Sequence, residues 1–157
     1  MTMEISLRDV QESDLPIFFE QQLDAEATRR AAFPARARDD FMAHWAKIMA
    51  DETTFLKTIV FQAKVAGNIV AWKQAGETRV GYWLGREYWG KGIASAALSQ
   101  VLDDVKARPL YARVAKHNSA SLRVLQKCGF TITGEDKFPT ADGREDEEFI
   151  LTLEANG

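Results

Sequence analysis

The sequence predicts an α/β (α+β) fold, a single domain over residues 1–157. Its core is a mixed, mostly antiparallel sheet of about seven strands flanked by about four helices. Three observations lead there. Segments of two-residue and 3.6-residue apolar period follow one another in the order β-α-α-β-β-β-α-β-α-β-β. A strand runs into a glycine turn that opens the longest amphipathic stretch. The chain of 157 residues, 46% apolar and 27% charged, is long enough for one self-sufficient core and too short for two catalytic domains.

Apolar Met3, Ile5 and Leu7 alternate with polar Glu4, Ser6 and Arg8, which marks a half-buried first strand. Ser13 or Asp14 can cap a helix with Pro16 in its first turn, and Leu15, Phe18, Phe19 and Leu23 supply its apolar face. The Ala/Arg-rich residues 25–38 read as a loop or a broken helix. From Asp39 to about Ala50, Phe41, Trp45, Ile48 and Met49 recur at helical spacing. Residues 55–61 and 67–72 are β-branched and aromatic, separated by the weak turn Gln62-Ala63-Lys64. Gly76-Glu77 is a better turn and precedes a strand at 79–84. After Gly90-Lys91-Gly92 the positions Ile93, Ala94, Ala97, Leu98, Val101, Leu102 and Val105 form an amphipathic helix. A strand at 110–114, a helix from Asn118 to Cys128 closed by Gly129, and strands at 130–133 and 148–153 complete the chain.

Composition excludes several classes of function. Twenty Lys+Arg against 23 Asp+Glu give a net charge of -3, without the basic excess of a non-specific nucleic-acid binder. No apolar run approaches the ~20 residues of a membrane span, and the mean hydropathy is -0.27, so a cytoplasmic location is expected. Cys128 is the only cysteine, which rules out an intrachain disulfide or a cysteine-rich zinc site, and no metal is expected. Neither nucleic acid nor a membrane is an expected partner, whereas a homodimer is allowed.

Gly85 to Gly92 has the spacing of a P-loop until Gly92 replaces the Ser or Thr that would hold magnesium. A dinucleotide loop fails as well, since Ser95 stands where its third glycine would be. What remains is a helix N-terminus whose unpaired N–H groups and positive dipole end can bind a diphosphate without a metal. Alternatively, the glycines only make a tight turn.

The segments Val80-Gly81-Tyr82-Trp83-Leu84, Tyr88-Trp89-Gly90-Lys91-Gly92-Ile93-Ala94, Asn118-Ser119-Ala120-Ser121 and Lys127-Cys128-Gly129-Phe130 resemble those of the GCN5-related N-acetyltransferases (GNAT). The branch they resemble contains the ribosomal-protein N-terminal acetyltransferases. The resemblance covers essentially the whole chain. It implies a GNAT-like fold and acetyl-coenzyme A-dependent transfer of an acetyl group to a primary amine, carried by a small molecule or a peptide. Direct attack on the thioester is implied, without a covalent enzyme intermediate. The alternative is a non-catalytic domain that holds an acyl-coenzyme A as a sensor or scaffold. Transfer of a longer acyl chain also stays open.

Residue by residue, the resemblance assigns the diphosphate to Trp89, Gly90, Lys91, Gly92, Ile93, Ala94 and Ser95. It assigns the pantetheine edge and an oxyanion-hole N–H to the backbone of Tyr82, Trp83 and Leu84. Asn118 is implied as a coenzyme contact, although Asn before a helix is also a preferred N-cap. Ser121 is implied near the sulfur, where it can donate a proton to the leaving thiolate or face the helix interior. Seven residues after Asn118, where the family frequently has a tyrosine as general acid, this chain has Leu125. Two residues before the glycine of Gly81-Tyr82-Trp83, where that branch often has a Glu as base, it has Arg79, which leaves Glu77, Glu20, Glu26 or His44 acting through water. Phe33, His44, Trp45, Tyr82 and Phe138 are the candidate acceptor-pocket liners, each with core packing as the alternative. Cys128, at a helix C-terminus, is a poor nucleophile.

Overall fold

The computed structural model describes residues 4–31, 35–140 and 143–155. Strand β1 (Ile5–Asp9) leads through a 3-10 turn into α1 (Leu15–Gln22), α2 (Ala25–Ala31) and α3 (Arg38–Ala50). The meander β2 (Phe55–Phe61), β3 (Lys64–Gln74) and β4 (Glu77–Leu84) follows, then α4 (Ile93–Asp104), β5 (Leu110–Ala115), α5 (Ser119–Lys127), β6 (Thr131–Pro139) and β7 (Glu145–Leu153). The strands form one sheet in the order β1-β2-β3-β4-β5-β7-β6, as the sequence predicts in number and mix.

Helix α2 departs from the expected loop or broken helix. Asp24 caps it by accepting the Ala27 N–H at 3.0 Å, and Glu26 pairs with Arg30 one turn later. The β2–β3 turn is also tighter than expected. Gln62 and Ala63 both adopt positive φ, 50° and 65°, so that β3 begins at Lys64 rather than at Gly67. A two-residue turn of that kind normally advertises itself with Asn or Gly, and here it has neither.

Helices cover both faces of the sheet. On one face Ile93, Leu98 and Val101 of α4 pack with Ile59, Ile69, Leu110 and Leu151, all essentially inaccessible to solvent. Leu125 of α5 and Phe130 close that side. On the other, Leu15 and Phe18 of α1 meet Phe41 and Trp45 of α3 above Leu56 and Val70 of the sheet. Asp14, 2% exposed, ties the first turn to the sheet. It accepts two bonds from the Arg8 guanidinium at 2.7 and 2.8 Å, one from Thr58 Oγ1 at 2.7 Å and one from the Gln11 N–H at 2.9 Å.

The feature that positions the site is the only parallel pairing among the described strands. β4 and β5 are joined at Thr78↔Leu110 and Arg79↔Tyr111 and at no later position. Beyond Arg79 no further pairing joins the strands, and a wedge opens past the C-terminal half of β4, between the start of α4 and helix α5.

Candidate active site

A cavity of about 560 Å³ fills this wedge. Its β4 wall is Tyr82, Trp83 and Leu84, and its floor is Trp89, Gly90, Gly92, Ile93, Ala94 and Ser95. Gly90 and Gly92 adopt φ of 72° and 78°. These left-handed values are open to glycine at little cost, and they turn the chain so that α4 starts with its free N–H groups facing the wedge. A Cβ at Gly90 would meet nothing within 4 Å, so the loop itself is not crowded. Lys91 is exposed and does not line the cavity.

The opposite wall is α5. Asn118 accepts the Ser121 N–H at 3.3 Å, the N-cap the sequence allowed, and this leaves its Nδ2 donors without a protein partner among the described residues. Asn118→Ala should therefore lower stability by about 1 kcal/mol, read from urea unfolding. The Ser121 hydroxyl meets Tyr82 Oη at 2.9 Å. Leu125 is 3% exposed in the core, so its position offers the cavity nothing.

Several lining residues escaped the sequence reading. Arg123, Val124 and Lys127 lie on the same helical face as Ala120, so two cations four residues apart look into the wedge. That spacing was readable once residues 119–127 were taken as a helix. Ala27, Arg30 and Ala31 of α2 form the rim. Arg30 stacks on the Trp89 indole at 4.4 Å and Arg86 sits 5.7 Å from the same ring. Arg86 also pairs with Asp24 at 2.7 Å, and Trp89 Nε1 donates to the Leu84 carbonyl at 3.2 Å. Helix α2 is thereby clipped to the glycine loop, and Trp89 acts as the clip.

The candidate bases, and the described acceptor liners other than Tyr82, do not line this cavity. Glu77 sits at the closed, paired end of β4, bound to Arg79 at 3.0 Å, about 17 Å of strand rise from Tyr82. Glu26 is held below the ordinary carboxylate range, chiefly by Arg29, and then by Arg30. Glu20 lines a second, more open depression of about 860 Å³ that shares only Tyr88 with the wedge. His44 is partly buried on α3, where burial first, then the charges of Arg36 and Lys47, lower its pKa. Trp45, 6% exposed, packs in the α1–α3 core, and Phe138 stands on β6 opposite Asp146. Phe33 lies outside the described residues. Of the proposed liners among the described residues, Tyr82 alone reaches the wedge. Among the described residues no carboxylate or imidazole lines it. Cys128 is a thiol raised by burial, with Lys127 opposing, and its Sγ lies 3.7 Å from the Ser95 carbonyl oxygen.

Comparison with known proteins agrees with this fold. The acetyltransferase (GNAT) domain model matches residues 4–131. A curated relative from Bacillus licheniformis, the uncharacterized N-acetyltransferase p20, is 29% identical over 86 residues. That match takes in 52% of this chain and only about half, 48%, of the relative's length. Spermidine N-acetyltransferase from Vibrio cholerae, solved with CoA and spermine, aligns with a TM-score of 0.83 at 16% identity, over 96% of this chain and 95% of that one. A ribosomal-protein α-N-acetyltransferase solved with coenzyme A gives 0.80 at 19% identity, over 98% and 95%. Among the described residues no helix is long and apolar enough to cross a membrane, and no group of three His, Cys, Asp or Glu side chains is placed to hold a metal ion. The family model spans the elements that build the wedge, from β1 through α5, and the chain belongs to the GNAT acetyltransferase family.

Proposed function

We propose that the protein, acting as one domain, transfers an acetyl group from acetyl-coenzyme A to a primary amine of a small molecule or a peptide. The wedge past the C-terminal half of β4, floored by the left-handed glycines at the start of α4, carries this reading. The residues present fit such a ligand. Free N–H groups from Gly90 to Ser95 suit a diphosphate, Arg30, Arg123 and Lys127 add positive charge, and the unpaired edge of β4 suits an extended amide chain. Acetyl-coenzyme A supplies an activated thioester carbonyl.

The chain's own groups then have distinct tasks. The backbone of Tyr82, Trp83 and Leu84 pairs with pantetheine and aims one N–H at the carbonyl oxygen, where negative charge grows. Asn118 offers its free amide donors to the pantetheine arm, and the Ser121 hydroxyl faces the sulfur. The amine nitrogen bonds to the carbonyl carbon and the carbon–sulfur bond breaks. The surplus proton on nitrogen passes to water, since among the described residues no carboxylate or imidazole lines the wedge to take it. A thiol with a pKa of about 8.5 leaves readily as thiolate. The net charge of -3 suits a cationic acceptor.

Ser121→Ala should lower kcat about tenfold while leaving the KM for acetyl-coenzyme A within about twofold, the effect of one hydrogen bond made to the departing sulfur. Steady-state thiol release measures it. An unchanged kcat would remove Ser121 from the mechanism.

A further inference from the structure

The Tyr82 hydroxyl bridges the wedge from β4 to the first turn of α5, 2.9 Å from Ser121 Oγ. Among the described residues neither hydroxyl has another hydrogen-bond partner. The two groups can be joined in two ways. If Ser121 donates, the phenolic proton of Tyr82, whose ring is partly buried against the core, has no acceptor among the described residues. If Tyr82 donates, its proton is satisfied and the Ser121 proton is free to turn into the cavity. The second arrangement uses both donors.

We infer that Tyr82 is a positioning residue that donates to Ser121 Oγ and so holds the Ser121 hydroxyl as a donor aimed into the wedge, at the sulfur of the bound thioester. The inference rests on the reading of the wedge as the coenzyme site. Leu125, one turn further along α5, is buried in the core, and Tyr82 is the tyrosine that reaches the cavity face of α5, from β4. As the carbon–sulfur bond breaks, the electron pair stays on sulfur and the thiolate accepts a hydrogen bond from Ser121, strengthened because Ser121 Oγ is itself an acceptor. Neither hydroxyl gives up its proton, and the released thiolate is protonated from water.

The surroundings keep Tyr82 in its donor form. Burial raises the phenol above its ordinary value, the bond to Ser121 opposes this, and the Cys128 thiol at the end of α5 adds to the rise. The other titratable groups on the wedge are Arg30 of α2, Tyr88 of the glycine loop, and Arg123 and Lys127 of α5.

The test compares coenzyme A with desulfo-coenzyme A by calorimetry at about pH 7 and about pH 9, below and above the thiol pKa. For the wild type, coenzyme A should bind about tenfold more tightly than the desulfo form at the higher pH, with a smaller preference at the lower. In Tyr82→Phe and in Ser121→Ala that preference should fall to about threefold or less, with desulfo-coenzyme A bound within about twofold of wild type. The double variant should be no worse than Ser121→Ala, because Tyr82 acts through Ser121. Retention of the full preference by Tyr82→Phe, or additive losses in the double variant, would overturn the inference. Failure of the wild type to bind either ligand would overturn the coenzyme reading itself, and the inference with it.

Discussion

Gly92→Glu should weaken acetyl-coenzyme A binding by at least about 100-fold, equivalent to about 2.7 kcal/mol. Two effects combine. Gly92 is the N-cap of α4 at φ 78°, ψ 8°, a left-handed conformation that costs a residue with a Cβ about 1–2 kcal/mol. The new carboxylate also stands among the N–H groups proposed to hold the diphosphate, so like charges meet where the helix dipole is of most use. Calorimetry on wild type and variant measures the loss, and circular dichroism checks whether the fold survives. Lys73→Glu, a larger charge change at an exposed position on β3, is the control and should alter affinity less than about threefold. Equal binding by Gly92→Glu and wild type would remove the diphosphate from this loop.

Asp14→Ala should cost about 3 kcal/mol of stability, at the lower end of what breaking a buried ion pair costs because Arg8 is partly exposed. The substitution strands Arg8, the Thr58 hydroxyl and the Gln11 N–H, which all bond to this one carboxylate. Burial pushes the Asp14 carboxyl up, but the bonds from Arg8, Gln11 and Thr58 and the Arg8 charge outweigh it and hold the group below its ordinary value. A depressed folded-state pKa stabilises the protein above the unfolded value of about 3.9, and that stabilisation disappears as pH falls through the lower, folded value. The stability gap between wild type and Asp14→Ala should therefore be full at neutral pH and narrow below about pH 4. Urea unfolding across that range measures it, and a gap independent of pH would contradict the assignment.

Legibility in the sequence followed from how each element is buried. Helix α4 was plain because Ile93, Ala94, Ala97, Leu98 and Val101 all face one core and all are buried. The far half of β6 was not. Residues 135–139 pair only with β7 at the edge of the sheet and are mostly exposed, so no apolar alternation records them. The β2–β3 turn was obscured by positive φ at Gln62 and Ala63, residues that do not announce such a conformation.

The candidate site divides in the same way. Backbone-driven features, the glycine loop and the end of β4, were legible because glycine spacing carries their geometry. Side-chain roles that depend on which end of a strand or face of a helix is meant were not. Glu77 and Tyr82 lie on one strand, yet only Tyr82 reaches the wedge. Trp45 recurs at helical spacing whether it packs in a core or lines a pocket, and it packs in the core.

The most direct test of the proposed activity is release of free thiol from acetyl-coenzyme A across a library of primary amines that includes small amines, polyamines, aminoglycosides and peptides with free N-termini. The proposal predicts saturable, amine-dependent release with at least one of them, accompanied by an acetylated amine, and its loss in Gly92→Glu. Tight acetyl-coenzyme A binding with no thiol released beyond background by any amine would contradict it and would favour a non-catalytic coenzyme-binding role.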